Sequence, residues 1–286
     1  MANDKNNLPY VLSDLDGTIS LMDFSFLKTT LTDIAAYQKA SGNKFSFITG
    51  RNMVVNKAVI EQLKIKLPIV SCNGALITDH KGEVLAAEYL DKRTCVTIFR
   101  EADNFDLDLI CYTPTAIVGT ADSNRIKAWN AYNQKQKPSH KFEITIFPDL
   151  DAIADAIADE SIKPLELVCV VENDEERKAM QAIFDSYQDE INYVQSDAML
   201  FDALKKGINK EFGLKKWAEL INTDPQQVVC FGDNYNDLEM IKLVEHGYVV
   251  DNGVQALKDL AYKVIKSVDE NGVGEQLERI IKHEYD

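Results

Sequence analysis

Two aspartates one residue apart, Asp14 and Asp16, stand where a short apolar run ends, with Gly17 and Thr18 directly behind them. Tyr10, Val11 and Leu12 suffice for a buried strand, and Gly17 lets the backbone turn sharply after it. Two carboxylates this close repel each other unless a cation or a proton lies between them. Mg²⁺ suits that demand, because it takes oxygen ligands, needs few carboxylates and shares them with a phosphate. A solvated acidic turn would also accommodate Asp-Leu-Asp, which recurs at 106–108 and 149–151; only the first copy continues into Gly-Thr. An EF-hand loop does not fit. Counted from Asp14, Ile19 stands where glycine is required and Ser25 where the bidentate glutamate belongs.

Further polar groups fall at the exits of other apolar runs. Thr49 opens Thr49-Gly50-Arg51, Lys210 follows Gly207-Ile208-Asn209, and Asp233 lies in Gly232-Asp233-Asn234-Tyr235-Asn236-Asp237. Three carboxylates, a hydroxyl and an ammonium are what metal-assisted phosphoryl transfer needs. The carboxylates would hold Mg²⁺ and supply a nucleophile, while Thr49 and Lys210 would neutralise the phosphoryl oxygens. Taken singly, each has a plainer reading: a turn at Thr49, a surface lysine at 210, a capped loop at 232–237. Their order at successive strand ends lifts the set above chance.

The elements that must position these groups follow from periodicity. Phe26, Leu27, Leu31, Ile34 and Ala35 recur at helical spacing up to a Gly42 stop, and 45–48 reads as a second strand. A helix carrying Val54, Val55, Ala58 and Leu63 follows, then a third strand at 68–70 and an Asn73-Gly74 turn. Strand, helix, strand, helix, strand predicts an α/β fold with a doubly wound, Rossmann-like parallel sheet, whose ligands gather at the carboxyl edge of the strands. A hairpin at 76–85 leads away from it. Between 86 and 190 the pattern changes, with strands near 107–112, 116–118, 144–147 and 165–171 and helices after Asp91, at 123–133, 151–160 and 173–187. This stretch reads as an α+β domain inserted into a core made of 1–85 and 191–286. The core pattern then resumes, with 199–204 strand-like, Asn209 capping the helix that bears Lys210, a strand at 227–231 and short units beyond.

The length of 286 residues favours about two domains. A formal charge of −15 without any cluster of Lys and Arg argues against a nucleic-acid partner. No apolar stretch approaches a membrane span, and the polar first residues lack the apolar core of a signal peptide, so a cytoplasmic protein without a membrane partner is expected. The five cysteines are scattered without Cys-x-x-Cys and read as buried thiols. The four histidines are isolated, and no His-Glu-x-x-His occurs.

Together Asp-Leu-Asp-Gly-Thr at 14–18, Thr-Gly-Arg at 49–51, Asn-Gly-Ala at 73–75, Lys210, and Gly-Asp-Asn-Tyr-Asn-Asp at 232–237 span nearly the whole chain. In these motifs the sequence resembles the haloacid dehalogenase-like phosphatases of the Cof type, in which an α/β cap is inserted after the third core strand. The resemblance implies that Asp14 is the nucleophile and Asp16 the general acid/base. It implies a Mg²⁺ held by Asp14, the backbone carbonyl of Asp16, and Asp233. Thr49 and Lys210 would hold the phosphoryl group, supported by Asn236 and Asp237, and Gly50, Arg51 and Asn73 would lie near phosphate or substrate. Ser13, where the family's strand is usually apolar, and Glu211, where glycine is common, are the departures.

The expected protein is a Mg²⁺-dependent phosphatase acting on a small phosphorylated metabolite, a sugar phosphate, as a monomer or small homo-oligomer. Two other readings stay open: a phosphomutase using the same intermediate, and a catalytically silent protein that senses a metabolite through its cap.

Overall fold

The structure is a computed structural model and describes residues 8–285; the polar first residues read above for a leader lie outside the described residues. The chain divides into two compact units. One comprises the residues up to Thr49, Ala58–Leu85 and those from Lys210 onward; the other comprises Gly50–Lys57 and Ala86–Asn209.

In the first unit β1 (Val11–Ser13) is fully buried and is followed by α1 (Lys28–Ser41), which stops at Gly42 in the left-handed conformation at φ 79°. Strand β2 (Phe45–Phe47) returns parallel to β1, pairing Val11 with Phe45. After α2 (Lys57–Leu63) comes β3 (Ile69–Ser71), the expected third parallel strand. It keeps one parallel bridge, Ile48 to Val70, but its ladder is antiparallel with β4 (Leu76–Thr78), which leads into β5 (Val84–Ala87) in a three-stranded sheet. The cause is local. Cys72, Asn73 and Gly74 all take positive φ, at 49°, 49° and 107°, and reverse the chain before β3 can lengthen.

The second unit is built on a six-stranded sheet. Helix α3 (Lys92–Asp103) precedes β6 (Asp108–Tyr112) and β7 (Ala116–Thr120); α4 (Asn124–Gln134) leads to β8 (Glu143–Phe147). Then come α5 (Leu150–Ala158), β9 (Glu166–Val170), α6 (Asp174–Asp185), β10 (Ile191–Asp197) and β11 (Leu200–Lys205), in the sheet order β10-β11-β9-β6-β7-β8. The four helices start where a side chain accepts a backbone N–H: Asp91, Ser123, Asp149 and Asn173 take those of Thr94, Ile126, Ala152 and Glu176. Phe99, Ile153 and Phe184 pack with Cys111, Leu167 and Cys169 of the sheet.

The boundary expected at 190 is displaced. Strand β11 lies between β9 and β10, with Leu200 opposite Val170 and Leu204 opposite Glu166, so residues 191–209 belong to the second unit. Residues 50–57 join it as well. The buried Asn52 amide donates to the carbonyls of Thr113 (2.8 Å) and Ala116 (3.3 Å) at the turn between β6 and β7.

The first unit resumes with α7 (Lys210–Leu220), β12 (Val229–Gly232), α8 (Leu238–Leu243), β13 (His246–Val250), α9 (Gln255–Lys258), β14 (Lys263–Ile265) and α10 (Gly272–Ile281). Its main sheet runs β14-β13-β12-β1-β2, parallel throughout. Buried Leu12, Phe45, Phe47, Phe231 and Tyr248 form its centre, and α1 packs on α10. Strand β1 sits between β12 and β2, so the residues leaving β1 and β12 emerge side by side, where an open parallel sheet holds its ligands. Among the described residues no helix is long and apolar enough to cross a membrane.

Candidate active site

Asp14 follows β1 directly, and its N–H donates to the Phe231 carbonyl of β12 (2.9 Å), which ties the two strand ends together. Burial pushes the Asp14 carboxyl up to about 6, although the Lys210 ammonium opposes the shift; Asp237 adds to it. Lys210 opens α7 with 1% of its side chain exposed, and its Nζ donates to Asp14 Oδ1 (2.6 Å) and Asp237 Oδ1 (2.7 Å). Burial alone would favour the neutral amine; the Asp14 and Asp237 charges outweigh it and hold Lys210 protonated well above its ordinary range. This is no surface lysine.

Asp237 uses its other oxygen, Oδ2, to accept the N–H groups of Asp233 (3.0 Å) and Asn234 (3.1 Å). It thereby shapes the turn after β12 as well as holding Lys210. Gly232 makes room for it, since a Cβ there would lie 2.7 Å from the Asp237 carboxyl carbon. Asp233 projects from the same turn, and its Oδ1 accepts the Thr18 hydroxyl (2.7 Å). Burial, then the Asp14 and Asp237 charges, push Asp233 well above the usual carboxylate range. Carboxylate oxygens of Asp14, Asp233 and Asp237 lie within 4.8 Å of one another.

The turn behind Asp14 is fitted to Asp233. Gly17 sits at φ +81°, and a Cβ on it would stand 2.5 Å from Asp233 Oδ2. Its carbonyl accepts the Asn252 side-chain amide (2.7 Å), whose oxygen accepts the Val268 N–H (2.9 Å). Asp16 is half-buried, and its Oδ1 accepts the hydroxyl of fully buried Ser20 (3.1 Å).

Thr49, buried to 1%, is fixed by backbone bonds from its N–H to Val70 (3.0 Å) and from Asn73 N–H to its carbonyl (3.1 Å). The Asn73 side-chain oxygen accepts the Asn236 amide (2.9 Å), linking the β3 turn to the β12 turn. Helix α7 closes on this region: a Cβ at Gly213 would lie 2.7 Å from Val70 Cγ1 and 2.8 Å from Gly74 Cα. The first unit thus carries Asp14, Asp16, Thr49, Asn73, Lys210, Asp233, Asn236 and Asp237; hydrogen bonds link Asp14, Lys210, Asp237 and Asp233 in one group and Thr49, Asn73 and Asn236 in another. Gly50 and buried Arg51 group with the second unit. Thr18 entered the sequence reading only within Asp-Leu-Asp-Gly-Thr, and Ser20 and Asn252 were not singled out. A hydroxyl between Ile19 and Leu21, and an Asn-Gly pair after β13, are the signals that could have marked the last two.

A parallel α/β sheet with an acidic cluster and a buried lysine at its strand exits defines the class. The family model of the haloacid dehalogenase-like hydrolases matches residues 11–277, and the chain belongs to that family. A Mycoplasma pneumoniae protein provisionally named a phosphatase is 28% identical over 265 residues, covering 90% of this chain and 91% of its own. The Bacillus subtilis 5-amino-6-(5-phospho-D-ribitylamino)uracil phosphatase YitU is 24% identical, over 93% of this chain and 95% of its own. The crystal structure of a haloacid dehalogenase-like hydrolase from Bacteroides thetaiotaomicron shares the fold, with a TM-score of 0.79 at 21% identity over 96% of this chain and 100% of that one.

Proposed function

We propose that the protein is a Mg²⁺-dependent phosphatase that hydrolyses a small phosphorylated metabolite, a sugar phosphate, through a phosphoaspartate on Asp14. The observation that carries this reading is the buried Lys210 ammonium between Asp14 and Asp237, beside Asp233. Burying Asp14 and Asp237 around one ammonium, with half-buried Asp233 beside them, is costly for a scaffold and suited to a polyanionic substrate with a divalent ion. The phosphatase names of the relatives agree with it, and the YitU name describes a phosphorylated ribityl chain, the kind of substrate proposed.

The donor set fits a hard divalent cation, being made of oxygens alone. Asp237 has both oxygens engaged by Lys210 and backbone N–H groups. Asp14 and Asp233 are therefore assigned to hold Mg²⁺, with the backbone carbonyl of Asp16. When bound, the ion would neutralise charge on the phosphoryl oxygens.

The remaining steps belong to the side chains. An Asp14 oxygen attacks phosphorus, the bond to the leaving alkoxide breaks, and Asp16 gives that alkoxide its proton. Asp16, now a carboxylate, takes a proton from water as the water oxygen attacks phosphorus. The acyl phosphate bond breaks, and Asp14 and inorganic phosphate are released. Lys210 stays protonated throughout and, with Thr49, holds the phosphoryl oxygens. Asn73 orients Asn236 beside them. Choice among substrates is assigned to the second unit, which supplies none of these reacting groups.

Phosphate release from a panel of phosphorylated sugars, with chelator and with Mg²⁺, tests the reading. Mg²⁺-dependent release is expected. Undiminished turnover in excess chelator overturns it, and so does transfer to a second hydroxyl with no phosphate released.

A further inference from the structure

We infer that Ser20 is a positioning residue for Asp16, fixing which carboxyl oxygen handles the proton; this rests on the reading of Asp16 as general acid/base. Ser20 is held by its backbone, since its N–H donates to the Leu15 carbonyl (2.8 Å) and its carbonyl accepts the Gly17 N–H (2.9 Å). Its residue exposure is 0%, so the hydroxyl cannot turn to water and must find a protein partner. That partner is Asp16 Oδ1, at 3.1 Å.

The consequence is geometric. A carboxyl on two rotatable bonds can present either oxygen in many directions, whereas proton transfer needs one oxygen within hydrogen-bond reach of the reacting atom. With the Ser20 hydroxyl donating to Oδ1, the acid proton belongs on Oδ2. In the first half-reaction Oδ2–H gives its proton to the leaving alkoxide as the P–O bond breaks. In the second, the same oxygen takes a proton from water as the new P–O bond forms and the Asp14 acyl phosphate opens. Ser20 keeps the carboxyl from rotating between the two. Its neighbours Ile19 and Leu21 are apolar, so this hydroxyl interrupts an apolar stretch, and it is placed to donate to Asp16.

The test separates positioning from general damage by leaving group. Turnover of an alkyl phosphate needs an acid in the first half-reaction; phosphorylation of Asp14 by p-nitrophenyl phosphate does not. Ser20→Ala and the near-isosteric Ser20→Cys are compared with wild type on both substrates, with thermal midpoints and calorimetric Mg²⁺ binding recorded alongside. Losing a hydrogen bond to a carboxyl that gains charge in this step should cut the alkyl-to-aryl ratio of Asp14 phosphorylation rates, read by rapid quench in a single turnover, by on the order of ten- to a hundredfold. The loss should fall in kcat rather than KM, and Mg²⁺ affinity should change little. Ser20→Ala should add no further loss on alkyl phosphate in an Asp16→Asn background, because the group it positions is gone. Equal losses in the Asp14 phosphorylation rate on both substrates in both variants, or full additivity with Asp16→Asn, overturn the inference. If Asp16→Asn itself shows no dependence on leaving group, the reading of Asp16 fails and this one with it. If Asp16→Asn shows that dependence and the Ser20 variants do not, only the role of Ser20 is lost.

Discussion

Replacing Lys210 by Met should reveal how much of the site's stability hangs on one ammonium. Methionine has nearly the length of the lysine stem and is apolar, so the packing loss is small. The electrostatic loss is not. Lys210 has 1% of its side chain exposed, and its partners Asp14 and Asp237 have 8% and 0% exposed. Removing one partner of a buried ion pair costs roughly 3–5 kcal/mol, because the charge left behind stays desolvated. Here two carboxylates are left, so in chelator the Lys210→Met protein should lose at least that range. Mg²⁺ should restore part of it, by neutralising Asp14 and Asp233, but cannot replace the bond to Asp237. Acid should restore part as well, since a protonated Asp14 no longer needs the ammonium. Urea unfolding of both proteins, in chelator and in Mg²⁺, near pH 7 and near pH 5, measures each component. A stability loss under about 1 kcal/mol in chelator, the range of an exposed pair, would refute the reasoning. Turnover should fall by about 10²–10³ or more, as for loss of one transition-state donor.

Three further outcomes are expected. Asp14 is pushed from 3.8 up to about 6 in the metal-free fold, so it holds its proton more tightly folded than unfolded. The fold carries no penalty from it below about pH 4 and loses on the order of 3 kcal/mol as pH rises through about 6. The rise in thermal midpoint caused by Mg²⁺ should therefore grow across that window, and a pH-independent rise would contradict it. Gly17→Ala should cost about 1–2 kcal/mol for a left-handed alanine. It should also weaken Mg²⁺ binding at least tenfold by calorimetry, because the new methyl would meet Asp233 Oδ2 at 2.5 Å; unaltered affinity would separate Asp233 from the metal. Replacing 86–209 by a short linker should give more folded, monodisperse protein in size-exclusion chromatography than replacing 86–190. The shorter excision keeps β10 and β11 but removes β9, leaving an unpaired apolar edge.

What the sequence made legible was largely local. Asp14, Asp16, Thr49 and Asp233 could be set at strand exits because each ends a short apolar run. The parallel order followed from strands alternating with helices. Partnership across the chain was not legible. Residues 199–204 read as an apolar strand, but nothing in them says that they pair with β9 rather than with the parallel sheet. Strand β3 was legible as a strand, yet its antiparallel ladder depends on three left-handed residues of which only Gly74 and Asn73 advertise a turn. The motif Thr49-Gly50-Arg51 reads as one unit, while the division falls inside it, because Asn52 is gripped by carbonyls more than sixty residues away in sequence. Asp237 was legible only as a supporting acid. Its bond to Lys210 is set by how α7 packs against α8, a tertiary relation that no spacing encodes.

The claim on which everything else depends is that Asp14 becomes phosphorylated. Rapid-quench mixing of Asp16→Asn protein with p-nitrophenyl phosphate and Mg²⁺, followed by intact mass and peptide mapping, measures it directly. This leaving group needs no acid, so the first half-reaction should proceed and the second should stall. The mass of one phosphoryl group should appear on the peptide containing Asp14, and should be absent from Asp14→Ala and from samples with excess chelator. An adduct on another residue, or continued turnover by Asp14→Ala, would contradict the assignment of the nucleophile.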